Sequence, residues 1–452
     1  MAGKESIILQ QIKKYPGQKV KLAVTDIDGV LRGKVVHMKK FESIAKSGLG
    51  FCNVVFGWDS SDVCYDNVSY TGWHSGYPDA QVALDINTYR TVPWDNDIPF
   101  VLGDFWESSG KPLAICPRNL LKTVVARAAK SGYKANFSQE FEWFNFIESS
   151  ETLHNKGFRD PEPLSKGMFG YSLLRPMQSN GFFNDIFDLL NKYNVPLEGL
   201  HTETGPGVYE AAILYSDVLE AADRAVLFKA ALKEIGSLHG ITPTFMAKWN
   251  SSLPGSSGHV HQSLWKNGKN CFFDPKASDH MSDTMKHYLA GLLHCMPHIT
   301  PMYAPNVNSY KRLVEGAWAP TTLTWGIDNR TTAVRALPGS ENSTRLELRV
   351  VGADANPYLA MAAALASGLY GIKNKLPLKT KPTKGNGYNA QDVGVLPRDL
   401  IQASQAMSHS KIARELFGDE FVEHFTNTRI WEWREFSKAV TDWEMKRYFE
   451  IT

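Results

Sequence analysis

Glu140 and Glu142 stand two residues apart in Phe137-Ser-Gln-Glu-Phe-Glu-Trp-Phe144. In a strand, that spacing turns both carboxylates to one face and Phe141 and Trp143 to the other. Neighbouring acids on one face repel unless water or a cation separates them. The pair therefore reads either as a solvent-facing edge or as part of a cation site. Glu203 and Glu210 flank Gly205-Pro206-Gly207, an ordinary turn or one that folds two carboxylates together. His259 and His261, in Gly255-Ser-Ser-Gly-His-Val-His-Gln-Ser263, repeat the two-residue spacing with nitrogen donors. A structural pair is the plainer reading, but the Gly/Ser lead-in suits a backbone approaching a ligand. The sharpest pattern is Thr344-Arg-Leu-Glu-Leu-Arg-Val350, with Arg345, Glu347 and Arg349 on one face and Leu346, Leu348 and Val350 on the other. As pure structure, a buried row of charges is a weak source of stability. A cation on Glu347 and phosphate on the arginines account for it better. With Arg312, Arg330 and Arg335 added, the inventory suits two divalent cations bridging a nucleoside triphosphate.

These groups must be carried by ordered elements. Ser6–Tyr15 reads as a helix ended by Pro16-Gly17, and Val20–Asp26 and Val30–Met38 as strands joined at Asp28-Gly29, a hairpin signal. Residues 39–100 hold further short strands, with Trp58, Trp73 and Trp94 among Gly, Asp and Pro. Pro117–Ser131 has the Pro-first, Gly-after signature of a helix. A boundary is placed at Ser-Ser-Gly-Lys-Pro near residue 110, dividing the chain into 1–108 and 109–452. Beyond it Ala135–Ile147, Gly207–Ser216 and Thr344–Val351 are strand-like. Gly181–Tyr193, Ser216–His239 and Pro357–Leu376 are helical, Thr380–Gln391 is a Pro/Gly/Asn loop, and the end is helical again. The fold class expected is α+β.

Composition excludes several classes. Across 452 residues, 49 Lys and Arg against 47 Asp and Glu leave a net charge of +2, and no basic run occurs. That argues against nucleic acid as a partner. No apolar stretch approaches the roughly 18 residues of a membrane span, and the N-terminus lacks a signal-peptide apolar core. Five scattered cysteines without a C-x-x-C suit a reducing cytoplasm. Val24-Thr25-Asp26-Ile27-Asp28-Gly29-Val30 imitates the motif of aspartyl-phosphate phosphatases, but those need a helix and a parallel crossover after the Asp. Here a second strand follows directly, so a hairpin is expected.

Taken in order, the motifs F-x-x-E-x-E, E-x-G-P-G-x-x-E, G-S-S-G-H-x-H-x-S, N-S-Y-K-R-L, D-N-R and R-x-E-x-R resemble those of the glutamine synthetase family, type I, over nearly the whole chain. In character the chain is similar to its γ-glutamyl-amine ligases, including those of polyamine type. The resemblance implies a small N-terminal β-grasp-like domain and a catalytic domain in which a curved antiparallel sheet forms a funnel backed by helices. It implies a homo-oligomer, a dodecamer of two hexameric rings, with sites between neighbouring subunits. ATP is the implied co-substrate, with two Mg²⁺ or Mn²⁺ per site. Glu142, Glu203 and Glu210 would hold the cation on the amino-acid side. Glu140, His259 and Glu347 would hold the one on the nucleotide phosphates. His261, Ser263 and Tyr215 resemble nucleotide contacts, and Arg330, Arg335 and Arg345 the phosphate-facing set. Arg312 and Arg349 look like the carboxylate and phosphoryl clamps. The implied reaction forms an acyl phosphate and then an amide.

Three positions depart from the family pattern. Trp318 stands where a flap Glu takes a proton from ammonium. Trp58, in Trp58-Asp59-Ser60-Ser61, stands where an ammonium-binding Asp belongs. Pro254-Gly255 replaces an Asn-Gly that contacts the amino-acid substrate. Two aromatics for two acids make the amine pocket more apolar, which favours an organic amine over ammonium. A catalytically silent structural relative would have lost metal ligands, and all six are present.

Overall fold

The computed structural model describes residues 2–452, and side chains from residue 5 onward. The first sheet holds β1 (Lys19–Thr25), β2 (Leu31–His37), β3 (Leu49–Cys52), β4 (Asp79–Val92) and β5 (Ile98–Trp106), in the order β2-β1-β5-β4-β3. Its pairings are antiparallel except β1 with β5. The hairpin at Asp28-Gly29 forms as the sequence predicts. Asp26 is consumed by it, accepting from the backbone N–H groups of Asp28 at 3.0 Å and Val30 at 2.9 Å and from Arg32 at 2.9 Å. A carboxylate so engaged caps a turn; it is no nucleophile. Gly29 adopts φ +81°, and a Cβ there would meet Asn356 at about 3 Å.

Two expectations for residues 39–100 need correction. Met38–Ser47 is a helix that buries Met38, Phe41 and Ile44, capped by the His37 side chain. The strands there are not all short, since β4 runs for 14 residues.

The second sheet holds β6 (Lys134–Phe146), β7 (Leu197–Thr202), β8 (Val208–Ile213), β9 (Ser216–Asp217), β10 (Thr242–Thr244), β11 (Val260–Lys266), β12 (Lys269–Asn270), β13 (Trp325–Ile327), β14 (Val334–Leu337) and β15 (Arg345–Leu348). Its main path is β13-β14-β15-β11-β6-β8-β7. It is antiparallel except at its edge, where β13 runs parallel to β14. Alternation along β6 works as predicted. Phe141 and Trp143 are fully buried against Phe228 of the helix Val218–Leu238, at ring-centroid distances of 5.6 and 5.5 Å. Aromatic burial on that face fixes which way Glu140 and Glu142 point.

One buried ionic knot ties the first sheet to the helices behind the second. Arg118, on the helix Pro117–Lys130, contacts Asp104 of β5 at 2.9 Å, Asp85 of β4 at 3.0 Å and Asp223 at 2.8 Å. The Tyr358 hydroxyl donates to Asp223 at 2.6 Å. No helix among the described residues is long and apolar enough to cross a membrane.

Candidate active site

Strand register assembles the site. Across β14, β15 and β11, Arg335, Glu347 and His261 are direct neighbours. Across β6, β8 and β7, so are Glu142, Glu210 and His201. Glu140 stands between the two rows on β6. Of the two readings of the turn at Gly205-Pro206-Gly207, the one that folds the carboxylates together holds, with Glu203 and Glu210 oxygens within 4.8 Å of each other.

The charged groups meet in two chambers that share Glu140. The first, about 330 Å³, is lined by Glu140, Glu142, Glu203, Glu210, His259, Arg312, Arg330, Arg335, Glu347 and Arg349, with Gly255 and Trp318 in its wall. The second, also about 330 Å³, takes Tyr215, His261, Ser263 and Arg345. The Arg-Glu-Arg row is therefore divided: Arg345 serves one chamber, Glu347 and Arg349 the other. Arg330 and Arg335, of the expected phosphate-facing set, line the first chamber, apart from Arg345. Trp58 lies in neither. It is half-buried under the Arg32 guanidinium, 5.2 Å from the ring.

Around Glu347 the contacts are dense. Its carboxylate, wholly buried, accepts from Arg335 at 2.9 Å and pairs with Arg349. His259 Nδ1 lies 2.8 Å from Glu140 and 3.3 Å from Glu347, and His261 Nε2 lies 3.2 Å from Glu140. Arg345 Nε donates to His261 Nδ1 at 3.2 Å. Burial alone would raise Glu347, but Arg349, His259 and His261 outweigh it and hold the carboxyl at about 2. His259 is lowered to about 4 by burial and by Arg349. Glu140 falls well below the ordinary range because both imidazoles override its burial.

Around Glu210 the balance is the reverse. Burial, then Glu140, Glu142, Glu203 and Glu347, push Glu210 up to about 10. Burial also raises Glu142, against the Ser257 backbone N–H that donates to it at 2.7 Å. Arg312 is buried and donates to the carbonyls of Val350 and Arg349 at 3.0 and 3.1 Å. Gly255 is required beside it, because a Cβ would stand 2.5 Å from the Ala247 carbonyl and 2.8 Å from Arg312 Cγ.

Two donor sets have ligand atoms within 4.8 Å of one another: Glu140, His261 and Glu347, and His201, Glu203 and Glu210. Hard carboxylate oxygens with one imidazole each are a donor chemistry that divalent cations accept. Crowded like charge at Glu210 and a buried, unpartnered His259 Nε2 fit them too. His201 was not anticipated from the sequence. A histidine two residues before an acid carries no signal until the β7–β8 register sets it opposite Glu210. Its Nδ1 meets the Thr202 carbonyl at 3.1 Å, and its ring stacks on Tyr171 at 4.7 Å.

Comparison with known proteins agrees with this geometry. The family described as glutamine synthetase, catalytic domain, matches residues 114–448. The chain is 53% identical over 452 residues to type-1 glutamine synthetase 2 of Dictyostelium discoideum, covering 99% of this chain and 86% of that one. It is 38% identical to a glutamate–isopropylamine ligase of a Pseudomonas species, covering 97% of this chain and 96% of that one. Among solved structures, a GmaS–ADP complex superposes with a TM-score of 0.85 at 27% identity, covering 98% of this chain and 99% of that one. The family match over residues 114–448 and the 53% identical relative, together with this acid-lined site, make the chain a member of the glutamine synthetase family, an ATP-dependent carbon–nitrogen ligase.

Proposed function

We propose that this ligase joins the γ-carboxyl group of glutamate to an organic amine. The observation that carries the reading is Trp318: an indole, 63% exposed and held at φ 56°, walls the acidic chamber where a proton-accepting carboxylate would serve ammonium. An indole face attracts an alkylammonium and offers apolar surface to its carbons, but it accepts no proton. The relative named for isopropylamine supports the same reading. Ammonium as the nucleophile is the second reading, favoured by the 53% relative named as a glutamine synthetase.

In the reaction, a carboxylate oxygen attacks the γ-phosphorus of ATP as the bond to ADP breaks. The amine nitrogen then attacks the acyl carbon, phosphate leaves with the bonding pair, and the nitrogen gives up a proton. Tyr215, Ser263, His261 and Arg345 take the nucleotide in the second chamber, so its phosphates point past Glu140 into the first. There Arg330, Arg335 and Arg349 face the transferring phosphoryl group and Arg312 the carboxylate substrate. Gly255 keeps the wall beside Arg312 thin. Glu140, Glu347, His259 and His261 would hold one Mg²⁺ or Mn²⁺, and Glu142, Glu203, Glu210 and His201 a second. Such ions neutralise the oxygens between which charge moves. We place the enzyme in the cytoplasm as a dodecamer of two hexameric rings, divided at 1–108 and 109–452, with segment 56–66 and Trp58 facing a neighbour's chamber.

Steady-state kinetics with glutamate, ATP and a panel of ammonium, methylamine, ethanolamine and isopropylamine tests the reading. An organic amine is expected to have the highest kcat/KM. Ammonium at the head of the panel would overturn it in favour of glutamine synthesis.

A further inference from the structure

A third chamber, about 510 Å³, opens on the far side of Trp318. It shares Trp318 and Arg330 with the acidic chamber and is otherwise built by Ile327 at the end of β13, the turn that follows it and residues 382–385. Trp318, Ile327 and Pro382 give it apolar surface, while Arg330 and Lys384 give it positive charge. Its single acid among the described residues is Asp328. That carboxylate is already held by Arg335, whose Nε donates to it at 2.9 Å. Two of the loop carbonyls are occupied as well. Asn329 Nδ2 donates to Thr383 at 3.0 Å and to Gly385 at 2.9 Å. A second ammonium entering here would meet two cations, against a single carboxylate that Arg335 already pairs.

Resting on the organic-amine reading, we infer that this chamber receives the substituent of the amine and restricts the substrate to monoamines with an apolar tail, excluding diamines and polyamines. The amine nitrogen lies in the acidic chamber and its carbons pass the indole into the space beyond. A four-carbon chain fits that volume with room to spare, so size does not set the limit. Charge does. A tail ending in –NH₃⁺ would stand beside Lys384 and Arg330 with only the Arg335-paired Asp328 to offset them, whereas a tail ending in –CH₃ meets the apolar surface of Trp318, Ile327 and Pro382.

Butylamine and 1,4-diaminobutane differ only in that terminal group, so their ratio of kcat/KM reads the chamber directly. The ratio is taken within one enzyme preparation, so partial unfolding of a variant cancels. In the unaltered chain butylamine should be favoured by about tenfold or more. Lys384→Glu should cut that preference by about fivefold, the scale of one partly exposed charge contact. Ile327→Trp, which fills the space, should lower the ratio of butylamine to methylamine by about tenfold. If organic amines are turned over but 1,4-diaminobutane equals butylamine, or neither substitution moves its ratio, the chamber inference is overturned while the organic-amine reading stands. If no organic amine is turned over, both fall together.

Discussion

Replacing Glu347 tests the centre of the site. Its carboxylate is wholly buried, 2.9 Å from Arg335, paired with Arg349 and 3.3 Å from His259. Being held at about 2 instead of 4.5 corresponds to about 3 kcal/mol in favour of the charged form, after burial has been overcome. Glu347→Ala removes that charge and leaves Arg349, already carrying an unpartnered Nε, buried beside no anion. Breaking one side of a buried pair costs about 3–5 kcal/mol, and urea unfolding should show a loss of that size. Glu347→Gln keeps the shape and removes only the charge. Both variants should lower acyl-phosphate formation at least 100-fold, the upper end of what disturbing a metal ligand's surroundings costs. Trapping the acyl phosphate with hydroxylamine reads that step without the amine. Equilibrium dialysis with Mn²⁺ reads the cation without any reaction. A Glu347→Gln enzyme that traps hydroxamate within tenfold of the unaltered rate and still binds Mn²⁺ normally would refute the assignment.

Trp318→Glu should move the preference from alkylamine towards ammonium by at least about fivefold, since a cation–π contact of about 1 kcal/mol is replaced by a proton acceptor; competition assays with mixed amines read it. His424, buried between Phe56 and Tyr70, is held at about 3 against an ordinary 6.5 by burial and Arg429. Its folded value is depressed, so its contribution is present above pH 6.5 and is lost as pH falls towards 3. The loss reaches about 2 kcal/mol at pH 5. Urea unfolding at pH 7 and pH 5 should show the unaltered chain losing about 2 kcal/mol more than His424→Phe over that range, other titrating groups cancelling between the two chains. Light scattering should give a ring-sized particle of about twelve subunits, and a fully active monomer would contradict the placing of segment 56–66.

Much of the site was readable because its spacing is that of a strand. Phe141 and Trp143 leave Glu140 and Glu142 one direction only, whereas Gly205-Pro206-Gly207 allowed Glu203 and Glu210 to meet without requiring it. What escaped depends on register between strands far apart in the chain. His201 matters because β7 pairs with β8, and nothing near it in sequence says so. Arg345 parts from Glu347 and Arg349 because Glu140 divides the funnel into two chambers. The helix Met38–Ser47 did carry a signal, Met38, Phe41 and Ile44 three apart, but it begins where a strand was read as ending. Its cap is a histidine, a residue type seldom read as one. A three-residue strand such as β13 is too short for any periodicity to show, so its parallel pairing with β14 was invisible.

The knot around Arg118 has a consequence for how the chain matures. Asp85 and Asp104 leave the ribosome just before Arg118, but Asp223 follows 105 residues later, and Tyr358 lies 135 residues beyond Asp223. Until Asp223 arrives, a guanidinium destined for full burial lacks one of its three carboxylates. Until Tyr358 arrives, Asp223 lacks its hydroxyl donor. The first sheet and the helix that follows it therefore cannot close dry during early synthesis. Their seam stays wet and exchangeable until the last third of the polypeptide is made, and a nascent chain stalled before Asp223 offers a protease that seam.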